Sequence, residues 1–243
     1  MEGSSKYVVL PFFIDNIMIT ARLTKYLEQF ITTERLELFH KLLNQRTRYL
    51  TVVLEDIYQS QNASAVLRTA DCFGIQDVHI IENKNEYQIN PDVALGASKW
   101  LNLVKYNEQE NNTLEAISHL KKLGYRIVAT TPHTKEVNLD DFDLSKGKAA
   151  LFFGTELNGL TEEMIFNADE YLKIPMVGFT ESFNISVSVA IILHHLTTSL
   201  RKSEIDWQLS DNEKEEILLE WLKKTIKKSS LLIDDFLSKK NNF

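Results

Sequence analysis

Leu151-Phe152-Phe153-Gly154-Thr155-Glu156-Leu157-Asn158-Gly159-Leu160 begins as an apolar, strand-like run and breaks into small, polar, loop-forming residues. About twenty residues on, Ile174-Pro175-Met176-Val177-Gly178-Phe179-Thr180-Glu181-Ser182-Phe183-Asn184-Ile185-Ser186-Val187-Ser188 repeats the pattern. Buried strands that end in glycine-bearing turns are where binding sites are built, because glycine lets a ligand approach the backbone. Between them the two ends carry carboxylates, amides and hydroxyls.

Outward from these segments, short apolar runs alternate with helical spacing. Strands are expected at Thr51–Leu54, Val78–Ile81, Leu101–Tyr106, Arg126–Thr130, Ala149–Phe153 and Tyr171–Ile174. Helices are expected near Ala63–Phe73, Leu114–Leu123 and Ser182–Leu200, with Gly124 as a C-terminal cap. Largely apolar strands in β/α alternation imply a parallel sheet covered by helices on both faces. Residues 16–31 and 34–47 have helical spacing, with Thr32 or Thr33 as an N-cap and Leu36, Phe39, Leu42 and Leu43 as a stripe. After Arg201 the pattern is helical and charge-rich, with Ile217, Leu218, Trp221 and Leu222 on its apolar face. The chain therefore reads as an N-terminal helical extension (1–48), an α/β domain (49–202) and a C-terminal helical extension (203–243).

A chain of 243 residues with 44% hydrophobic and 25% charged residues builds a real core. No apolar run is long enough to span a bilayer, and Asp15 interrupts the only stretch resembling a leader, so a cytoplasmic protein without a membrane partner is expected. The single cysteine, Cys72, excludes an internal disulfide framework and is expected to be a buried, inert thiol. The six histidines have no metal-ligand spacing, so no metal is expected. Neither a dinucleotide fingerprint nor a phosphate-cradling glycine loop is present. The net charge is −7, and residues 51–200 hold 11 Lys+Arg against 20 Asp+Glu. A polyanion would therefore need a local basic patch. Arg22, Lys25, Arg35, Lys41, Arg46 and Arg48, and Lys223, Lys224, Lys227 and Lys228, are candidates; solvated helix faces explain them equally well.

Gln59 to Ala70 follows the first strand and opens a helix. Arg68 there lies among Ala65, Val66, Leu67 and Ala70, so it must be paired or face a polar cleft. Asn62, six residues earlier, is not on the same helix face by simple periodicity, and both can still point at one site if Asn62 precedes the helix proper. Glu156 stands at a strand end, where a carboxylate orients a cation or holds a loop. Asn184, Ser182 and Ser186 open the last core helix, where plain capping is the alternative role.

At these residues the chain resembles the SpoU family of RNA 2'-O-ribose methyltransferases, within the SPOUT superfamily. Three motifs match in order: Asn62 through Arg68 to Ala70, Phe153-Gly154-Thr155-Glu156 through Gly159, and Ile174 through Ser182, Asn184 and Ser186 to Ala190. Together they cover roughly residues 50–200, and the likeness is closer to the tRNA guanosine-2'-O-methyltransferase branch. The resemblance implies a C-terminal deep trefoil knot, a homodimer and S-adenosylmethionine (S-adenosyl-L-methionine) bound in the knot. It places Thr130, Gly154, Thr155, Glu156, Ile174, Met176 and Phe183 on the cofactor, largely through backbone groups. It makes Arg68 the base or a phosphate anchor, with Asn62 and Asn184 positioning it and the ribose, Glu156 orienting the site and Ser182 supporting the cofactor loop. Phe183 stands where the family commonly has leucine, a change that keeps the pocket apolar.

The resemblance implies RNA as partner and methylation of tRNA, at guanosine 18 of the D-loop. An rRNA substrate is the alternative within the same chemistry; such relatives often carry a separate N-terminal RNA-binding domain, and 48 residues is short for one. A non-catalytic RNA-binding SPOUT protein is a further alternative, opposed by the intact Asn62, Arg68, Glu156, Ser182 and Asn184.

Overall fold

The computed structural model describes residues 19–87, 94, 96–131, 137–155 and 158–240. Seven strands form one sheet: β1 Leu50–Glu55, β2 Asp77–Ile81, β3 Asn102–Tyr106, β4 Arg126–Thr130, β5 Val137–Asn138, β6 Ala149–Phe153 and β7 Glu170–Lys173. Their order is β3-β2-β1-β6-β4-β7-β5, and every pairing is parallel. The helices are α1 (residues 19–27), α2 Thr33–Leu43, α3 Ser60–Cys72, α4 Asn112–Lys122, α5 Glu162–Asn167, α6 Ile185–Lys202, α7 Asp211–Thr225 and α8 Ser229–Lys240.

The strand sequences explain the layering. All residues of β1 and of β6 are buried, as a central parallel strand covered on both faces requires. Alternate side chains divide between two cores. Val52, Leu54, Leu151 and Phe153 join Val66, Leu67 and Ala70 of α3 and Val189, Leu193 and Leu196 of α6. Val53, Ala150 and Phe152 join Ala116, Ile117 and Leu120 of α4 and Met164 of α5 on the opposite face. The expected strands all form. β5 and α5 were not expected, being two and six residues long and so too short for a periodic signal.

The chain divides into two compact units. One is Thr47–Gln208, the sheet with its helices; the other joins the residues up to Arg46 with those from Leu209 onward. In this second unit Phe39 of α2 meets Trp221 of α7 edge-to-face at 5.4 Å, and the Arg46 guanidinium lies 5.3 Å from the Trp221 ring centroid. Ile217, Leu218, Trp221 and Leu222 are buried, and of the α2 stripe Phe39 and Leu43 are buried while Leu42 is exposed. Thr32 caps α2 by accepting from Arg35 N at 3.3 Å, and Ser210 and Glu213 form a reciprocal capping box on α7. No described helix is long and apolar enough to cross a membrane.

One expectation on α3 is corrected. Cys72 is exposed rather than buried. The apolar stripe of α3 is Ala63, Val66, Leu67 and Ala70, and Cys72 lies about 200° around the helix from Ala70. Arg68 is exposed and makes no hydrogen bond or ion pair among the described residues, so the structural ion pair is not found.

Candidate active site

A cavity of about 760 Å³ opens outside the carboxyl ends of β4, β6 and β7. Ligands of open parallel sheets bind at this edge, because the loops leaving the strands converge there. Thr130 ends β4, and its hydroxyl donates to the Phe152 carbonyl at 2.7 Å, fastening two of the strands that form the cavity's floor. Thr131 N donates to the Leu172 carbonyl at 3.0 Å, fastening β7 beside them.

The loop after β6 closes on itself. Thr155 N donates to Gly159 O and Gly159 N to Thr155 O, both at 2.9 Å, while Asn158 N donates to Thr155 Oγ1 at 3.1 Å. Gly159 has φ +68, which suits glycine. Gly154 is required for a different reason. A Cβ there would lie 2.1 Å from the carbonyl carbon and oxygen of Gly159, where no atom fits. The glycine thus lets two chain segments touch at the cavity wall.

The segment between β7 and α6 supplies the opposite wall through Ile174, Met176, Glu181, Ser182 and Phe183. Of the residues expected on the cofactor, Thr130, Gly154, Thr155, Ile174, Met176 and Phe183 all line this cavity, and Ser182 joins them. Glu156 lies outside the described residues. Tyr171, Lys173 and Glu181 line the cavity too and were missed. Lys173 carried a readable signal, a cation at the end of an apolar strand; the other two carried none.

The remaining expected residues lie where α3 packs on α6. Asn62 is in the first turn of α3, which starts at Ser60, so it does not precede the helix. Asn184 donates from Nδ2 to Asn62 Oδ1 at 3.2 Å, and Asn62 Nδ2 donates to Gln59 Oε1 at 3.0 Å. Asn184 also caps α6, its Oδ1 accepting from Ser186 N at 2.9 Å and Ser186 Oγ at 2.6 Å. The one amide thus both caps α6 and ties it to α3. Arg68, two turns along α3, is exposed to solvent and unpaired among the described residues.

The cavity suits a small organic cofactor. Its volume is in the range of ligand pockets, and its walls mix apolar side chains with hydroxyls. Fold and site together define an α/β protein with a ligand-sized cavity at the carboxyl edge of its sheet and an exposed arginine on a neighbouring helix.

The particular family follows from the chain's relatives. The SpoU rRNA Methylase family model matches residues 49–194, and the protein belongs to that family. It is 51% identical to a tRNA (guanosine(18)-2'-O)-methyltransferase of Borreliella burgdorferi over 83% of this chain and 90% of that one. It is 31% identical to the enzyme of the same name from Thermus thermophilus, over 79% of this chain and 98% of the relative. The crystal structure of the Aquifex aeolicus TrmH/SpoU tRNA modifying enzyme superposes with a TM-score of 0.71 at 28% identity, covering 80% of this chain and 98% of that one. Enzymes of this family use S-adenosylmethionine.

Proposed function

We propose that this protein transfers the methyl group of S-adenosylmethionine to the ribose 2'-oxygen of guanosine 18 in tRNA. One observation carries the reading: the cavity holds every described residue expected on the cofactor, and the Asn62–Asn184 contact lies at the α3–α6 packing that adjoins it. The names of relatives at 51% and 31% identity support the substrate.

When bound, the cofactor supplies a methyl group already activated on a sulfonium. The protein's task is then alignment of the 2'-hydroxyl and removal of one proton. The loop of residues 154–159 and the segment of residues 174–183 hold the cofactor, with Ser182 supporting the second. Asn62 and Asn184 fix each other and the ribose. Arg68 anchors a phosphate beside that ribose. A guanidinium stays protonated and grips phosphate bidentately, and one that is exposed and unpaired among the described residues is available for it. Glu156 orients the same site.

The C-terminal part forms a deep trefoil knot in this reading, supported by family membership and by β7, a late strand inserted between β4 and β5. The protein acts as a homodimer in the cytoplasm. Val177 and Phe179 are fully exposed, and Phe183 and Val187 are 43% exposed, an apolar surface that a second copy would cover. The test is transfer of labelled methyl to unmodified tRNA and, separately, to rRNA, with the product nucleotide identified. The expected product is 2'-O-methylguanosine in the tRNA D-loop. Label on rRNA alone would overturn the substrate, and label on neither would overturn the activity.

A further inference from the structure

Glu55 closes β1 with only 1% of its surface exposed. A buried carboxylate is unfavourable unless its oxygens are satisfied. Here three donors converge on it. Oε1 accepts from Thr113 Oγ1 at 2.7 Å and from Thr161 Oγ1 at 2.8 Å, and Oε2 accepts from Thr161 N at 2.9 Å. Two of the three donors belong to one residue, and that residue has a particular place. Thr161 caps α5, its hydroxyl oxygen accepting from Met164 N at 3.2 Å, and it is the first residue after the cavity-wall loop. Gly154, Thr155, Asn158, Gly159 and Leu160 of that loop line the cavity.

The register shows why Glu55 is the residue that does this. Leu54 pairs with Phe153, so Glu55 continues β1 alongside the residue where the loop begins. The sheet fixes the start of the loop, and the Glu55 carboxylate fixes its end. A leucine at this position would fill the space but could hold neither donor of Thr161.

We propose that Glu55 is a positioning residue for the cofactor pocket, setting the loop of residues 154–160 by holding Thr161. This rests on the reading of the cavity as the cofactor site. Glu55→Gln keeps the size and leaves one acceptor oxygen for three donors, with an NH2 group facing a donor. Thr161→Val removes one bond to Glu55 together with the cap bond from Met164 N, Thr161→Ser keeps both bonds to Glu55 and the cap, and Thr113→Val removes the bond that does not involve the loop.

The experiment is calorimetric titration of S-adenosylmethionine and S-adenosylhomocysteine into the full chain and each variant. Melting temperature and the cofactor KM and kcat on tRNA are measured alongside. Glu55→Gln and Thr161→Val are expected to weaken cofactor binding and raise its KM about tenfold or more, with kcat at saturating cofactor changed by less than about threefold. Thr161→Ser is expected to bind as the unaltered protein does, and Thr113→Val to lower the melting temperature without changing affinity. Unchanged affinity in both Glu55→Gln and Thr161→Val, beside normal binding by the unaltered protein, overturns this proposal alone. So does an equal loss in Thr113→Val and Thr161→Val, which would make the carboxylate a general structural element. No binding by the unaltered protein overturns the cavity assignment and the proposal with it. Should Glu55→Gln fail to fold, the Thr161→Val and Thr161→Ser pair decides.

Discussion

Asn184 donates from Nδ2 to Oδ1 of Asn62 at 3.2 Å, joining the N-cap of α6 to the first turn of α3 across 122 positions of sequence. The same Asn184 accepts from Ser186 through Oδ1. Its oxygen caps α6 and its nitrogen holds Asn62, so the cap and the site role proposed for Asn184 separate by substitution.

Asn184→Asp keeps the capping oxygen and removes the donor. Its stability should stay within about 0.5 kcal/mol, while methyl transfer falls about tenfold. Asn184→Ala loses both and should also lose about 1 kcal/mol of stability. Chemical denaturation and single-turnover transfer measure the two effects. Equal rates for Asn184→Asp and the unaltered protein would remove Asn184 from the site.

Gly154→Ala drives a Cβ to 2.3 Å from Leu160 N and closer still to Gly159. The loop must move, and cofactor affinity should fall on the order of a hundredfold. Gly124→Ala is the control. Gly124 has φ +82 and open space around a Cβ, so the change should cost about 1 kcal/mol of stability and leave affinity intact. Calorimetric titration of the cofactor compares the two, and normal binding by Gly154→Ala would contradict the loop's role.

Arg68 is exposed and lies outside the cavity wall. Arg68→Ala should leave stability within about 0.5 kcal/mol and cofactor binding unchanged, yet reduce methyl transfer by at least about a hundredfold. Arg68→Lys keeps a charge without the planar fork and should retain part of the rate. Full activity in Arg68→Ala would refute the assignment.

His79 is buried, and burial lowers its pKa to about 4, with Asp77 opposing and His119 adding to the effect. Its Nδ1 meets the Tyr106 hydroxyl at 2.9 Å, and that hydroxyl meets His119 Nδ1 at 2.8 Å. An unfolded histidine titrates near 6.5. Between pH 6.5 and 4 the unfolded chain therefore binds a proton that the folded chain does not. Stability is full above this window and drops as pH falls through it. Between pH 7.5 and 4.5 the unaltered protein should lose roughly 2 to 3 kcal/mol more than His79→Gln, by urea denaturation. Parallel losses would show that His79 does not set the acid sensitivity.

Much of this architecture was readable because the strands are apolar runs bounded by polar turns. The loops after β6 and β7 announced themselves by the abrupt change at Gly154 and Gly178. What escaped was short, unmarked or distant. The start of α3 has Gln59 as its N-cap, without a side-chain capping bond, so nothing in the sequence drew Asn62 into the helix. The exposure of Cys72 followed from its angular position, which its apolar character obscured. The contact of Phe39 with Trp221 joins opposite ends of the chain, and local periodicity carries no such information. Glu55 lies just past the expected strand Thr51–Leu54, and the two residues that hold it, Thr113 and Thr161, are distant in sequence.

The most direct test uses two tRNA transcripts that differ by one oxygen. One carries guanosine at position 18, the other 2'-deoxyguanosine. Labelled methyl transfer from S-adenosylmethionine is measured on both, and the product nucleotide is identified by mass spectrometry. The predicted result is a single 2'-O-methylguanosine in the first transcript and no label in the second. Equal labelling of the two transcripts would contradict the account.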